Sequence, residues 1–427
     1  MRILFINSTC GIGSTGRICT DLAKSYEKDG HECQIAYGRG IVPLDARRFA
    51  MRINTERQVR FNALSARLFD NDGLAAKRET KAFIRWAEAY NPDFLWLHNL
   101  HGYYINIELL FAWIKTRPNM KVYWTLHDCW SFTGHCAYFT LAKCEKWKHH
   151  CMNCSQKLEY PASYGADSSL RNYDRKRAAF LNVSNMTLIT PSKWLADLLC
   201  QSFLGCYPTK VRYNRIDTGI FRPTPSDFRE RYGLKDKKII LGVANVWSKS
   251  KGLDDLLKLA SMLDDRYAMV LVGLSKKQMR TIARLMHGYE VETSTQQGLA
   301  CDEAICTKKS GNTIGCVECS FDDLSTDGSI QKPTGTLIPI DVNVLYQAIT
   351  TMYHETIDKK TPISKILLLA KTNSAYDLAK IYTAADCYVN PTYEDNYPTT
   401  NIEALSCGTN VITYDTGGCA ETLANHV

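Results

Sequence analysis

Glycines stand at positions 11, 13 and 16 of "INSTCGIGSTGRICTDLAKS", Ile6 to Ser25, in the spacing G-x-G-x-x-G. The apolar "RILFI" before them reads as a buried strand, and Arg17 to Lys28 after them reads as a helix starting at the last glycine. Such glycines let the backbone turn sharply and leave amide N–H groups at a helix N-terminus, where an anion is favoured. Gly13 and Gly16 are therefore candidate contacts for any diphosphate. A dinucleotide site also wants an acidic residue about 20 positions further on, at the tip of the second strand. Here "CQIAYGRG", Cys33 to Gly40, ends in Arg39 without a carboxylate. Arg39 suits a 2′-phosphate, so an NADP oxidoreductase stays among the readings.

Further candidates sit at strand ends. His98 and His101 close "LWLHNLH", and His127 and Asp128 close "YWTLHD". A lone strand-end histidine is usually structural, but three on adjacent tips point to function. In the second half, Lys251 follows "VANVWSKS" in a loop before a helix, where an ammonium can meet phosphate. The segment "PTYEDNYPTTNIEALSCG" supplies Glu394, Asp395 and Glu403, with Thr399, Thr400 and Asn401 available as caps. Its helix start offers amides to a diphosphate, and a carboxylate in the first turns can accept hydrogen bonds from sugar hydroxyls. The plainer reading of Glu403 is stabilisation of its own helix.

Cys136, Cys144, Cys151 and Cys154 form C-x7-C-x6-C-x2-C, with Cys129, His135, His149 and His150 nearby. This pattern suggests a closed tetrahedral structural zinc site, the alternative being buried free thiols. Cys301, Cys306, Cys316 and Cys319 form a second group, with a weaker case for metal.

These residues need a scaffold of alternating strands and helices. "DFLWLHNL", "KVYWTLHD", "MTLITPS" and "KVRYNRI" read as strands of a first parallel sheet, and "KIILGVANV", "YAMVLVGL", "DCYVNPT" and "NVITYD" as strands of a second. "DTGIFRPTPSD", Asp217 to Asp227, reads as the linker. The expectation is an α/β protein of two doubly wound, Rossmann-like domains, 1–220 and 221–427, with a cleft at the carboxyl ends of both sheets. Two domains also suit a chain of 427 residues.

With 45% hydrophobic and 22% charged residues, the composition is that of a soluble globular protein. No apolar run approaches the ~20 residues of a membrane span. The N-terminus does not read as a signal peptide, so a cytoplasmic location is expected, with the 17 cysteines as thiols or metal ligands. Between Arg39 and Arg85, arginines and lysines alternate with Phe49, Phe61, Leu64, Leu68 and Phe69 in the pattern of basic amphipathic helices. This is either a solvated face or a contact with anionic membrane or a phosphorylated acceptor. No nucleic-acid module accompanies the charge.

"TLHDCWSFTGHC", "LGVANVWSKSKGL" and "NPTYEDNYPTTNIEALSCGTNVITYDTGG" together resemble glycosyltransferase family four, retaining enzymes of the GT-B fold, and most closely its bacterial polysaccharide-assembly members. The resemblance implies transfer of a sugar from a nucleotide diphosphate donor to a saccharide or lipid-linked acceptor, with retention of configuration, at the cytoplasmic face of the inner membrane. It places Gly13 and Gly16 over the donor and makes Glu403 the ribose ligand. Either Asp395 or Glu394 would face the transferred sugar, His127 would lie at the reacting sugar, and His98 and His101 would lie on the acceptor side. Lys251 matches the family's diphosphate lysine. The arginine usual six residues earlier is Asn245 here, for which Lys249 could compensate.

Front-face substitution needs neither a protein nucleophile nor a catalytic metal. A nucleotide-sugar 2-epimerase of the same fold and a catalytically impaired sugar-nucleotide-binding protein are the alternatives. Residues 281–360 interrupt the family pattern, and "PTGTLIPIDVNVLYQAITTMY" within them resembles a segment that family members carry after their TGG loop.

Overall fold

The computed structural model describes residues 1–286, 290–294, 333–354, 363 and 365–424. The chain divides into two units. The first takes Met1–Arg215 together with Glu394–Thr399 and the stretch beginning at Thr416; the second takes Ile216–Tyr393 and Thr400–Asp415.

In the first unit, β1 (Arg2–Asn7), β2 (Glu32–Tyr37), β3 (Ala50–Arg52), β4 (Phe94–Leu97), β5 (Lys121–Thr125), β6 (Met186–Thr190) and β7 (Thr209–Val211) form a parallel sheet ordered β3-β2-β1-β4-β5-β6-β7. Strand residues alternate between two cores. Leu4, Ile6, Leu95 and Leu97 join Phe83, Phe111 and Phe180 on one face, while Ile3, Phe5, Phe94 and Trp96 join Cys19 and Ala23 on the other. Burial on both faces explains why these strands read as continuous apolar runs. Each fully buried Phe or Leu contributes about 1.5 to 3 kcal/mol.

The second unit holds β8 (Lys238–Val243), β9 (Tyr267–Val272), β10 (Glu290–Ser294), β11 (Gly335–Ile338), β12 (Lys365–Leu369), β13 (Cys387–Asn390) and β14 (Asn410–Tyr414), also parallel, ordered β10-β12-β9-β8-β13-β14-β11. The sheets reverse direction of growth between β1 and β4 and between β8 and β13. Loops diverge at such points, so ligands of open α/β sheets bind beside the carboxyl ends of those strands.

The structure differs from the sequence expectations in two places. The first helix runs Gly13–Lys28, starting a turn before Arg17. Gly13, at φ +67°, turns the chain into it, while Gly16 lies inside it because a Cβ there would come within 2.7 Å of Thr9 Oγ1. The strand expected over "KVRYNRI" is only Thr209–Val211, half-exposed and at the edge of the sheet among the described residues. Within the span 281–360, the described residues supply β10 beside β12, and β11 beside β14, followed by the helix Val342–Met352 packed against the helix Leu253–Ala260. Cys301, Cys306, Cys316 and Cys319 lie outside the described residues.

The basic segment forms the helices Glu56–Phe69 and Lys77–Tyr90. Thr55 opens the first with a capping box closed by Gln58, worth about 1 kcal/mol.

Candidate active site

At the tip of β1 the glycine loop closes on itself. Gly11 N donates to Gly16 O at 3.1 Å and Thr9 Oγ1 to Ile12 O at 3.0 Å. Asn7 Nδ2 donates to Thr9 O at 2.8 Å while its Oδ1 accepts from Asn99 N at 3.2 Å, tying the tips of β1 and β4 together. The helix beyond has no side-chain cap and no acidic residue in its first turn. Its positive end is thus uncompensated by the chain and suited to an anion near Gly13.

The histidines at the tips of β4 and β5 meet each other. His98 Nδ1 lies 3.0 Å from His127 Nε2, with the rings stacked at 5.3 Å. His98 is 1% exposed, so this residue, expected on the acceptor side, backs His127 instead of meeting solvent. Burial pushes the His127 imidazole down to about 4, with His101 adding to the shift and the Asp128 charge opposing it. Burial, with His127 and Arg212 nearby, also holds His98 well below the usual range. Both rings are neutral near pH 7, sharing one N–H.

His101 is likewise buried. Its Nε2 lies 2.8 Å from Asp128 Oδ2 and its Nδ1 lies 2.9 Å from the Tyr160 hydroxyl. Burial would raise the Asp128 carboxyl, but the His101 charge and hydrogen bond and the Trp130 N–H outweigh it and hold the group below its ordinary value.

The segment Glu394–Thr399, grouped with the first unit, is anchored at these tips. Asn396 Nδ2 donates to His127 O at 3.0 Å, and Asn396 Oδ1 accepts from Ser192 Oγ at 2.5 Å. Glu394 Oε1 accepts from Thr140 Oγ1 at 2.9 Å and from Leu141 N at 2.7 Å, so it is tied to the loop that follows the His127 strand. Asp395 next to it is half-buried. The sequence reading missed Thr140, Ser192 and Asn396. Asn396 lies within a motif already quoted, whereas Thr140 and Ser192 carry no local signal.

In the second unit, the loop after β8 is fastened to the end of β13. Tyr393 N donates to Ser250 O at 2.8 Å and Thr392 Oγ1 to the same carbonyl at 3.2 Å. Gly252, at φ +68°, makes this approach possible, since a Cβ there would lie 2.1 Å from Pro391 O. Lys251 sits half-exposed on that loop and Lys249 is exposed. Asn245 Oδ1 accepts from Lys371 Nζ at 2.7 Å, which brings an unforeseen ammonium from the end of β12 to the tip of β8.

The helix Thr399–Ser406 follows β13. Asn401, expected as a cap, is fully buried and accepts from Asn390 Nδ2 at 2.8 Å. Thr399 and Thr400 are half-exposed at the helix start. Glu403, 3% exposed, accepts from the Tyr382 hydroxyl at 3.3 Å.

Cys136, Cys144, Cys151 and Cys154 line one cavity in the first unit. Among the described residues, no three His, Cys, Asp or Glu side chains are already gathered as a metal ion would require. Among them, too, no helix is long and apolar enough to cross a membrane.

Residues 352–427 match the family described as Glycosyl transferases group 1. A protein named for glycosyl transfer in colanic acid biosynthesis, WcaC of Escherichia coli (strain K12), is 27% identical over 228 residues; the match covers 51% of this chain and 55% of that one. The chain thus spans about half the length of this curated relative. Among solved structures, sucrose-phosphate synthase of Thermosynechococcus elongatus superposes with a TM-score of 0.55 at 13% identity, over 98% of this chain and 82% of its own. This is a GT-B fold. HepE of Anabaena, solved with UDP and glucose, gives 0.50 at 13% identity, over 99% of this chain and 82% of its own. The resemblance to glycosyltransferase family four and its polysaccharide-assembly members is borne out by these matches. Within the GT-B frame, both clusters of candidate residues stand where the sheets change direction.

Proposed function

We propose that the protein is a retaining glycosyltransferase that moves a sugar from a nucleotide diphosphate donor to a saccharide or lipid-linked acceptor in polysaccharide assembly. The observation that carries this reading is the pair Lys371 and Asn245 at the tip of β8, on the loop that also presents Lys251. Where the family has an arginine in the chain, this protein brings an ammonium in from another strand. Lys251 and Lys371 then meet the donor diphosphate, and the amides at the start of the helix Thr399–Ser406 add to its binding. The UDP complexes of HepE support a uridine donor. Glu403 is assigned to the ribose.

Either Asp395 or Glu394 is assigned to the transferred sugar, Glu394 being tied to Thr140 and Leu141. Neutral His127 is assigned a hydrogen bond to the same sugar as positive charge develops on its ring. In the transfer, the bond from the anomeric carbon to the diphosphate oxygen breaks while a bond to the acceptor oxygen forms on the same face. The departing diphosphate takes the acceptor proton, and the lysines stabilise its growing charge. No metal is needed for this step.

Peripheral membrane contact fits the helix Glu56–Phe69. Phe61 (72% exposed), Leu64, Leu68 and Phe69 project from it together with exposed Arg57, Arg60 and Arg67. Exposed apolar side chains beside arginines suit an anionic bilayer surface and support a location at the cytoplasmic face of the inner membrane.

The deciding experiment incubates the protein with UDP-sugars and a bacterial membrane-lipid extract and determines the anomeric configuration of the product by NMR. Retention with stoichiometric UDP release is expected. Inversion, or conversion of the donor to its epimer without an acceptor, would overturn the proposal. Donor binding is read separately as a rise in melting temperature with UDP, GDP or ADP.

A further inference from the structure

We propose that Cys136, Cys144, Cys151 and Cys154 hold one structural zinc ion in closed thiolate coordination, with the His135 imidazole set against them by Asp70. All five side chains line a single cavity of about 20 Å³, room for a water-sized or ion-sized occupant. Phe139, Trp147 and Met152 form the apolar part of its wall, the first two rings stacking at 4.7 Å, and Thr133, Lys146 and Ser169 complete it. Four soft donors around one small space match what zinc selects in structural sites.

A second observation, independent of the thiols, points to an occupant. His135 is 2% exposed and its Nε2 has no hydrogen-bond partner, although a buried ring nitrogen left unpaired is costly. The other ring nitrogen is fixed: Nδ1 lies 2.5 Å from Asp70 Oδ1. Asp70 is itself held, its Oδ2 accepting from Ser168 N at 2.8 Å and its carbonyl from Asn172 Nδ2 at 2.5 Å. With the ion's four positions taken by thiolates, an Nε2–H oriented in this way would donate to one of their sulfurs.

The backbone is arranged for thiolates as well. N–H groups of Gly134 and Gln156 are directed at the sulfurs of Cys151 and Cys154. Gly134 has no room for a side chain, as a Cβ would fall 2.1 Å from Ser169 O and 2.8 Å from Cys151 Cβ. Asn153, at φ +47°, makes the tight turn between Cys151 and Cys154. Zinc binding would release the proton of each coordinating thiol. The site would brace the loop whose Thr140 and Leu141 hold Glu394.

The test uses the full chain, purified under reducing conditions from zinc-supplemented medium. Elemental analysis is expected to find ~1 zinc per chain, and cobalt exchanged into the site should give intense visible bands with sulfur-to-metal charge transfer. The double substitution Cys151→Ser, Cys154→Ser should abolish both signals, while Cys200→Ser, exposed and outside the cavity, should change neither. His135→Ala should weaken zinc in competition with a chelator by roughly 10-fold or more. Should the double variant fail to fold, cobalt spectra of the wild-type chain decide alone. Absence of metal with no charge-transfer band, an iron–sulfur chromophore, or two disulfides among the four cysteines would each overturn the proposal.

Discussion

The strand tips of the first sheet carry histidines packed against one another, whereas those of the second carry lysines at the surface. In the first unit, His98 supports His127, Asp128 and Tyr160 hold His101, and Asn396 grips the carbonyl of His127. Rings held this way keep a fixed direction, and burial favours the neutral form of His98 and His127. In the second unit, Lys251 is half-exposed, and exposed Lys371 is held by Asn245 at the tip of β8. The contrast separates two tasks: a preorganised neutral surface for a ring that gains charge only briefly, and a cationic seat for a group charged throughout.

The sharpest way to break this division is Lys251→Ala, expected to lower kcat/KM by about 10²- to 10³-fold, since the diphosphate gains charge as it leaves. A loss under about threefold would remove the cationic seat from this loop. Next in size, Glu403→Gln should weaken donor binding in calorimetry by roughly 1.5 to 3 kcal/mol with the fold intact. Unchanged affinity would return Glu403 to a purely internal role with Tyr382.

His127→Ala should cut kcat by about 10-fold or more while leaving donor affinity within roughly twofold, because its contact matters mainly in the transition state. An equal loss in affinity would erase the distinction between the two sets of tips. The pH dependence follows from the same residue. With its folded value pushed down to about 4, His127 is neutral above pH 5, so kcat/KM should show no His127 titration near 6.5. The unfolded chain, whose histidine titrates near 6.5, takes up the proton more readily between that value and about 4. Folded stability is therefore lost progressively as pH falls through this window, measurable as a falling melting temperature. The smallest effect is expected from Lys371→Ala, about a few-fold in KM for the donor and diminishing with added salt, as screening predicts for an exposed cation.

Much of this arrangement was legible in the sequence because its signals are local. Buried parallel strands read as apolar runs, and glycines at 11, 13 and 16 announced a loop at a strand tip. The motif around Glu394 to Glu403 likewise announced a strand, a loop and a helix in succession. The couplings were not legible. Ser192 reaches Asn396, Thr140 reaches Glu394, and Lys371 reaches Asn245 only through the fold, and nothing near any of these residues marks its partner. The setting of His98 was not legible either: spacing puts it at a strand tip, and only the fold shows the packing of Trp96 and His127 against its ring. Likewise, only the fold brings Asn401 to Asn390 at the end of β13.

The position of β11 at the margin of the second sheet bears on how the protein is made. Gly335–Ile338 pairs with Asn410–Tyr414, a strand that leaves the ribosome later, and β14 lies between β11 and β13. While synthesis proceeds, β11 and β13 are both available but cannot be joined, and each presents an open row of N–H and C=O groups. The sheet closes only when β14 slides between them, a late step that pairs segments distant in the chain and is slow for that reason. A nascent chain stalled ahead of Asn410 would expose two strand edges at once, surfaces of the kind chaperones cover.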